Sequence, residues 1–317
     1  MNFIPNFKGR RLFWFEEHLP FIKFSRLAFY ISMGLMATSL AIWAALGLNF
    51  GVDFNGGSMV ELRSVSGPAK IAELRGKTRG LGLGDVQITS FGTDQDVLIR
   101  VEQQSGGETA QQDALNKITE AVGAGYEQRR VEVVGPAVSG ELRTTGIIAV
   151  LCSILAIITY VWFRFEWQFA IGAVVALTHD VLITIGVFSL LQLQFDLSTV
   201  AALLTILGYS VNDTVVVSDR IRENLRKFKR MELPELLNLS INETLPRTLM
   251  TSLTTLVVLV SLYVLGGEVI RNFTFAMMFG VLIGTYSSIF IAAPLLQHLG
   301  VKRDWSGVTK GAPVVAP

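Results

Sequence analysis

The chain has 317 residues, half of them hydrophobic and only 17% charged, with a formal net charge of +1. Mean hydropathy is +0.48, too apolar for an ordinary soluble chain of this length, and the near-neutral charge argues against nucleic acid or an acidic substrate as partner. The single cysteine, Cys152, excludes an internal disulfide, and no Cys/His spacing suggests a metal.

Residues 1–26 form a basic leading segment, carrying Lys8, Arg10, Arg11, Lys23 and Arg26. The apolar run 27–48 that follows is too long for a signal-peptide core, and no A-x-A-type site follows it, so it is expected to be a retained anchor. Residues 49–143 alternate in type. Strand-like VDF and SMVELRS flank Gly56-Gly57, and helix-like PAKIAELRGKTRG comes next. DVQITSF and DVLIRVEQ then read as a hairpin across GTDQ, a second helix-like run covers 108–122, and YEQRRVEVVG reads as a last strand. The order β-α-β-β-α-β predicts a small ferredoxin-like α+β domain. GLGLG at 80–84 lacks the Lys-Ser/Thr of a phosphate loop and does not open a helix straight after a strand, which argues against nucleotide binding.

Five more apolar segments of about 20 residues follow at 144–163, 168–191, 197–217, 246–265 and 272–296. The sequence therefore predicts a polytopic α-helical membrane protein with six transmembrane helices and the α+β domain between the first two. Lys and Arg gather in the leading segment, at Arg164, in the 218–245 loop (Arg220, Arg222, Arg226, Lys227, Lys229, Arg230) and in the 297–317 tail (Lys302, Arg303, Lys310). By the positive-inside rule both termini and that loop are cytoplasmic, which places 49–143 in the periplasm. The loop is amphipathic and broken by Pro234. The closing GAPVVAP is low in complexity and is expected to be disordered.

Several ionisable residues fall inside these spans, where they are costly enough to require a reason. Asp213 lies four residues from the cytoplasmic end of the fourth span, and Arg247 lies near the cytoplasmic start of the fifth, each roughly 6 Å deep. Both sit on polar stripes at helical spacing: Thr205, Tyr209, Asn212 and Asp213 on one, Arg247, Thr248, Thr251, Thr254 and Thr255 on the other. Such stripes face each other, a partner or water. Three readings stay open: a proton relay through Asp213 and Arg247, a static salt bridge, and an arginine that merely snorkels to the headgroups. His179-Asp180, near the middle of the third span, is either a second relay candidate or a helix-packing hydrogen bond beside Gly172 and Ala176. Gly280-x-x-x-Gly284 in the sixth span, followed by Ser287 and Ser288, predicts a close helix contact. The Asn-x-Thr triplets at Asn212, Asn242 and Asn272 are read as chance matches to a glycosylation pattern.

Longer motifs carry a resemblance. VDFNGG at 52–57, VGPAVSGEL at 134–142, FRFEWQFAIGAVVALTHDV at 163–181, GYSVNDTVVVSDRIREN at 208–224, NETLPRTLMTSLTTL and GTYSSIFIAAP are similar to those of the SecF family. These are the smaller membrane subunits of the bacterial SecD–SecF protein-export complex, within the resistance–nodulation–division superfamily. The match runs over roughly 45–300, and Asn55 stands where that family more often has Thr. The resemblance implies an inner-membrane subunit that pairs with SecD and associates with the SecY–SecE–SecG translocon and YajC. It implies use of the proton gradient, with no cofactor, to promote late movement of preprotein. In that family the fourth-span Asp and fifth-span Arg are tied to proton conduction, and they match Asp213 and Arg247. A further carboxylate comes from SecD, so the partner of Arg247 is either Asp213 or that group. No nucleophile–base constellation points to covalent catalysis. The rival readings are half of a proton-driven small-molecule exporter and a non-conducting assembly factor of the translocon.

Overall fold

The computed structural model describes residues 19–84 and 86–301. The start of the leading segment, with Lys8, Arg10, Arg11 and His18, and the tail from residue 302 on lie outside the described residues. The chain runs through α1 (Phe21–Leu46), a two-residue strand β1 (Asn49–Phe50) and a single turn α2 (Val52–Asn55). A sheet domain follows: β2 (Gly57–Ser64), α3 (Ile71–Arg79), β3 (Val86–Phe91), β4 (Thr93–Val101), α4 (Gly107–Val122) and β5 (Tyr126–Val134). Then come α5 (Pro136–Arg164), α6 (Trp167–Leu191), strand β6 (Gln194–Phe195), α7 (Leu197–Lys227), α8 (Leu233–Leu265) and α9 (Arg271–Ser287). The last of these passes through a π-helical turn at Ser288–Ala292 into α10 (Ala293–His298).

The sheet has the order β3-β4-β2-β5 and is antiparallel throughout, the ferredoxin-like arrangement that the sequence order predicts. One face packs under α3 and α4, where Leu74, Leu115, Ile118 and Val122 meet Val60, Val97, Ile99 and Val101. Alternation along β2 puts Arg63 on the other face opposite Asp96 of β4, and the two form a bidentate ion pair at 2.6 and 2.8 Å. VDF departs from the predicted strand. It closes a helical turn through Gly56 N–H to Val52 O at 2.9 Å, which lets Phe54 bury among Phe50 and Phe195. Gly56 and Gly57, at φ +72° and +112°, then turn the chain into β2. A side chain on Gly57 would collide with the Val101 carbonyl.

Six helices are long and apolar enough to cross a membrane. Half or more of the most apolar window of α6, α7 and the α9–α10 helix is buried, whereas α1, α5 and α8 bury less than a fifth. The bundle is thus a three-helix centre with three flanking helices. Small residues bring the centre together: Gly280 of α9 lies against Ile206 of α7, and Gly284 leaves room for Ser210. Gly186 of α6 lets Ser39 of α1 come equally close. The π-helical turn has a local cause. Pro294 donates no N–H and its ring would clash with the carbonyl four residues earlier, so the preceding turn widens.

The 218–245 segment is mostly helical instead of forming an open loop. α7 and α8 extend past their apolar windows and leave only 228–232 between them. Ile221, Leu225, Leu236, Leu237 and Ile241 keep an apolar stripe at helical spacing and pack beside Phe165 and Phe169. Pro234 sits in the first turn of α8, where a missing N–H costs nothing. Asn242 and Asn272 have structural roles. Asn242 accepts from Leu19 N–H and donates to Leu19 O, both at 2.9 Å, while Asn272 donates to Gln194 O at 3.1 Å.

Two outcomes are expected of the sheet domain. Gly57→Ala forces a side chain into left-handed backbone and into a carbonyl; a loss of about 1–3 kcal/mol is expected, read as a lower unfolding midpoint of the purified protein. The Arg63 guanidinium holds the Asp96 carboxyl down at about 2, with Thr93 adding to the effect and burial opposing it. A depressed folded value means that the stabilisation is complete above the unfolded value of about 3.9 and is lost as pH falls toward 2. Protease resistance of segment 65–134 should therefore drop between about pH 4 and pH 2. Asp96→Asn should flatten that drop; an unchanged acid profile in this variant contradicts the assignment.

Candidate functional site

The polar residues inside the bundle form two clusters that both reach α7, one at Ser210 and one at Asp213 a turn further along. The first centres on Asp180 of α6, which has no exposed surface. Its Oδ2 accepts from Ser210 of α7 at 2.6 Å and from Ser287 of α9 at 2.8 Å, and its Oδ1 lies 2.9 Å from His179 Nδ1. One carboxylate therefore joins all three central helices. The His179 ring lies beside Tyr286, at 5.9 Å between centroids, and the Tyr286 hydroxyl reaches Ser32 and the Ala28 carbonyl of α1. His179 Nε2 is buried without a hydrogen-bond partner.

The second cluster lies where α7 meets α8. Asp213 falls sixteen residues into α7, about 24 Å along its axis. It is only 2% exposed, and its Oδ2 has no hydrogen-bond partner. Thr248 of α8 is 1% exposed and its hydroxyl is likewise unpartnered. Buried polar atoms are nearly always paired, so two such groups on adjoining helices mark a place where bonding changes or a further group takes part. Arg247 is close enough to act on Asp213 electrostatically, yet among the described residues the two form no ion pair, and Arg247 is exposed. The helical offset between neighbours explains Asn212, which is exposed while Asp213 next to it is buried.

The rest of the stripe faces outward or into the α7–α8 contact. Thr205 and Thr254 are exposed; Tyr209, Thr251 and Thr255 are half-buried. Their hydroxyls are largely occupied by their own helices: Thr205 donates to Ala201 O, Thr251 to Arg247 O and Thr255 to Thr251 O, each four residues back. The Tyr209 hydroxyl bridges to Thr255 at 3.4 Å. A polar stripe that includes Arg247, which has no ion-pair partner among the described residues, thus lies on the surface of a membrane bundle. His179 and Asp180 join the neighbouring cluster, which connects to Asp213 through Ser210, one turn away on α7. Ser210 and Thr285, which bonds Ser252 of α8 at 2.6 Å, went unnoticed in the sequence because small hydroxyl residues in apolar helices carry no signal of their own. Among the described residues no group of three or more His, Cys, Asp or Glu side chains is placed to hold a metal ion.

Two family models match this chain. That of protein export membrane protein SecD/SecF, C-terminal, covers residues 114–302, and that of the SecD/SecF GG motif covers 41–66. The chain belongs to the SecD/SecF family. Within it, the protein translocase subunit SecF of Cereibacter sphaeroides is 50% identical over 297 residues, 91% of each chain. The protein translocase subunit SecDF of Brucella abortus is 42% identical over 285 residues, 90% of this chain and 38% of the relative. The crystal structure of SecDF from Thermus thermophilus, a translocon-associated membrane protein, superposes with a TM-score of 0.81 at 36% identity. That superposition covers 91% of this chain and 40% of the SecDF chain. The SecF-like chain is therefore a multi-pass membrane protein of a protein-export family, and in SecDF relatives its equivalent is fused to a larger remainder. The GG-motif match includes Gly56-Gly57 and the α2 turn, and the C-terminal match includes both polar clusters.

The Asp180 cluster gives a direct expectation. Asp180→Ala leaves the Ser210 hydroxyl without its acceptor, at about 1–3 kcal/mol for the unpaired group, and leaves Ser287 only the Gly284 carbonyl. Asp180→Asn keeps one acceptor oxygen and should be milder. Unfolding midpoints of the detergent-purified protein should rank wild type, then Asn, then Ala; an alanine variant as stable as wild type excludes Asp180 as the tie.

Proposed function

We propose that the chain is a subunit of the bacterial protein-export machinery that, paired with SecD, uses the proton gradient to promote preprotein movement across the inner membrane. The observation that carries this reading is the buried, incompletely bonded Asp213 on a central helix, flanked by an exposed polar stripe that ends in Arg247. A carboxylate in that position gains or loses a proton when its surroundings shift, because neither of its states is fixed by a full set of partners. The stripe of Thr205, Asn212, Arg247 and Thr254 is the face for SecD. That subunit would bring a carboxylate to Arg247 and complete the relay at the interface between the two chains. The fusion of the two parts in SecDF relatives supports this pairing. Tyr209, Thr248, Thr251 and Thr255 supply hydroxyls along the same seam, while His179 and Asp180 hold the seam's far wall in register.

Arg164, Arg220, Arg222, Arg226 and Lys227 lie at the bundle end away from the sheet domain. This supports a topology with that end, and both termini, in the cytoplasm and the sheet domain at 49–143 in the periplasm. The SecY–SecE–SecG translocon and YajC are the further partners of this reading, and a translocating preprotein is the cargo. The chemistry is proton movement coupled to displacement of helices, with no covalent step.

Preprotein export into membrane vesicles that hold the chain together with SecD tests the reading. Asp213→Asn and Arg247→Met should each assemble with SecD in pull-downs, keep the gradient-independent part of export, and fall to the level that an ionophore gives the wild type. Wild-type export by both variants, with or without the ionophore, removes the proton role. Loss of the complex in both variants assigns the pair to assembly instead.

A further inference from the structure

The sheet domain and α7 meet at a polar junction built from segments far apart in the chain. Strands β1 and β6 pair in parallel, Asn49 with Gln194 and Phe50 with Phe195. Gly51 N–H donates to Phe195 O at 2.8 Å, and Asn49 Nδ2 donates to Gln192 O at 2.9 Å. A side chain on Gly51 would press on Gln194 Nε2 at 2.8 Å and on Asp196 Cβ at 3.2 Å. Beneath this pairing Phe54, 7% exposed, stacks its edges among Phe50 and Phe195, so the turn is also held by apolar packing.

The decisive contact is that of Asp53. Its Oδ2 accepts a hydrogen bond at 2.9 Å from the backbone N–H of Leu197, the first residue of α7. Another free amide of this end is taken by Asp196, whose Oδ1 accepts from Thr199 N–H at 2.8 Å and also holds the Ser198 and Thr199 hydroxyls. Asp196 belongs to the membrane bundle; Asp53 belongs to the turn that leads straight into β2. Two carboxylates thus sit on the positive end of one helix, and one of them comes from the sheet domain's side. From that end α7 runs without a proline to Lys227 and carries Asp213 midway. The covalent routes into the domain come from α1 and α5, which carry neither Asp213 nor Arg247.

We propose that Asp53 is a positioning residue that couples α7 to the sheet domain: when α7 shifts with the protonation of Asp213, the Asp53–Leu197 bond makes the α2 turn and β2 follow. This rests on the proton-relay reading given above. The junction acts as a closed clasp that transmits movement and does not itself open during the cycle.

The same vesicle assay, with SecD present and Cys152→Ser as background, tests the clasp. Asp53→Ala should assemble normally and keep gradient-independent export, but lose about tenfold of the gradient-dependent increment, the scale of one hydrogen bond to a charged group. Asp53→Asn, whose amide oxygen still accepts from Leu197, should keep most of it. A second arm joins the strands covalently by Asn49→Cys with Gln194→Cys, since paired strands lie within disulfide reach. Oxidation of this pair should restore the increment to Asp53→Ala, and reduction should remove it again. A full increment in Asp53→Ala, or no recovery on oxidation, overturns the proposal. Asp213→Asn in parallel separates the two readings. If it loses the increment while Asp53→Ala keeps it, only the coupling fails; if it keeps the increment, the relay fails and the coupling with it.

Discussion

The bundle depends on one buried carboxylate. Among the described residues Asp180 is surrounded by hydroxyls and an imidazole, with no Lys or Arg against it, and it takes its donors from α7, α9 and its own helix. In a membrane, apolar side chains gain little by leaving lipid for protein, so helices need packing and polar contacts to choose a register. Gly280 and Gly284 provide the packing by admitting Ile206 and Ser210 against the α9 backbone. Asp180 provides the polar contact, and it does so at the same level, since Ser210 is both the residue that Gly284 accommodates and a donor to Asp180. Shape and hydrogen bonding therefore specify one register of α7 together.

That register matters because α7 borders two acids, Asp180 of α6 through Ser210 and its own Asp213 a turn further along. On the Asp180 side every carboxylate oxygen is bonded. At Asp213 a buried oxygen is left over, the Thr248 hydroxyl of the adjoining α8 is left over too, and Arg247 is exposed. A carboxylate with both oxygens bonded is held in place, and one with an oxygen left over is prepared to change. The π-helical turn that Pro294 imposes at Ser288–Ala292 directly follows Ser287, so the helix widens just past the point where Asp180 holds it.

Much of this was legible in the sequence, and the failures have physical causes. Twenty-residue apolar runs and two-residue alternation are long, repetitive signals, so the six helices and the β-α-β-β-α-β order could be read directly. The stripes on the fourth and fifth spans were legible for the same reason. Sequence could not distinguish Asn212 from Asp213, because a step of one residue turns a helix through about 100° and only packing decides which of the two faces inward. The VDF turn was misread as strand because three residues fit either form, and the choice is made by Phe195 and Leu197 far away in the chain. The 218–245 segment reads as an amphipathic loop because its charges and Pro234 interrupt the apolar runs, whereas the structure carries its apolar stripe through the ends of two helices.

The β1–β6 pairing has a consequence for how the protein is made. Its two halves are separated by 145 positions, from Asn49 to Gln194, so the first waits on the ribosome's delivery of the second. At about 5–20 residues per second that delay is about 7–30 s, of which about 3–12 s follow completion of β5 at Val134, time for a small sheet domain to fold alone before β6 arrives. During that interval the Asp53 carboxylate lacks the Leu197 amide and the Phe54 ring has Phe50 but not Phe195. Closure of the clasp is then a late event of biogenesis, the step at which an independently folded domain becomes mechanically part of the membrane bundle.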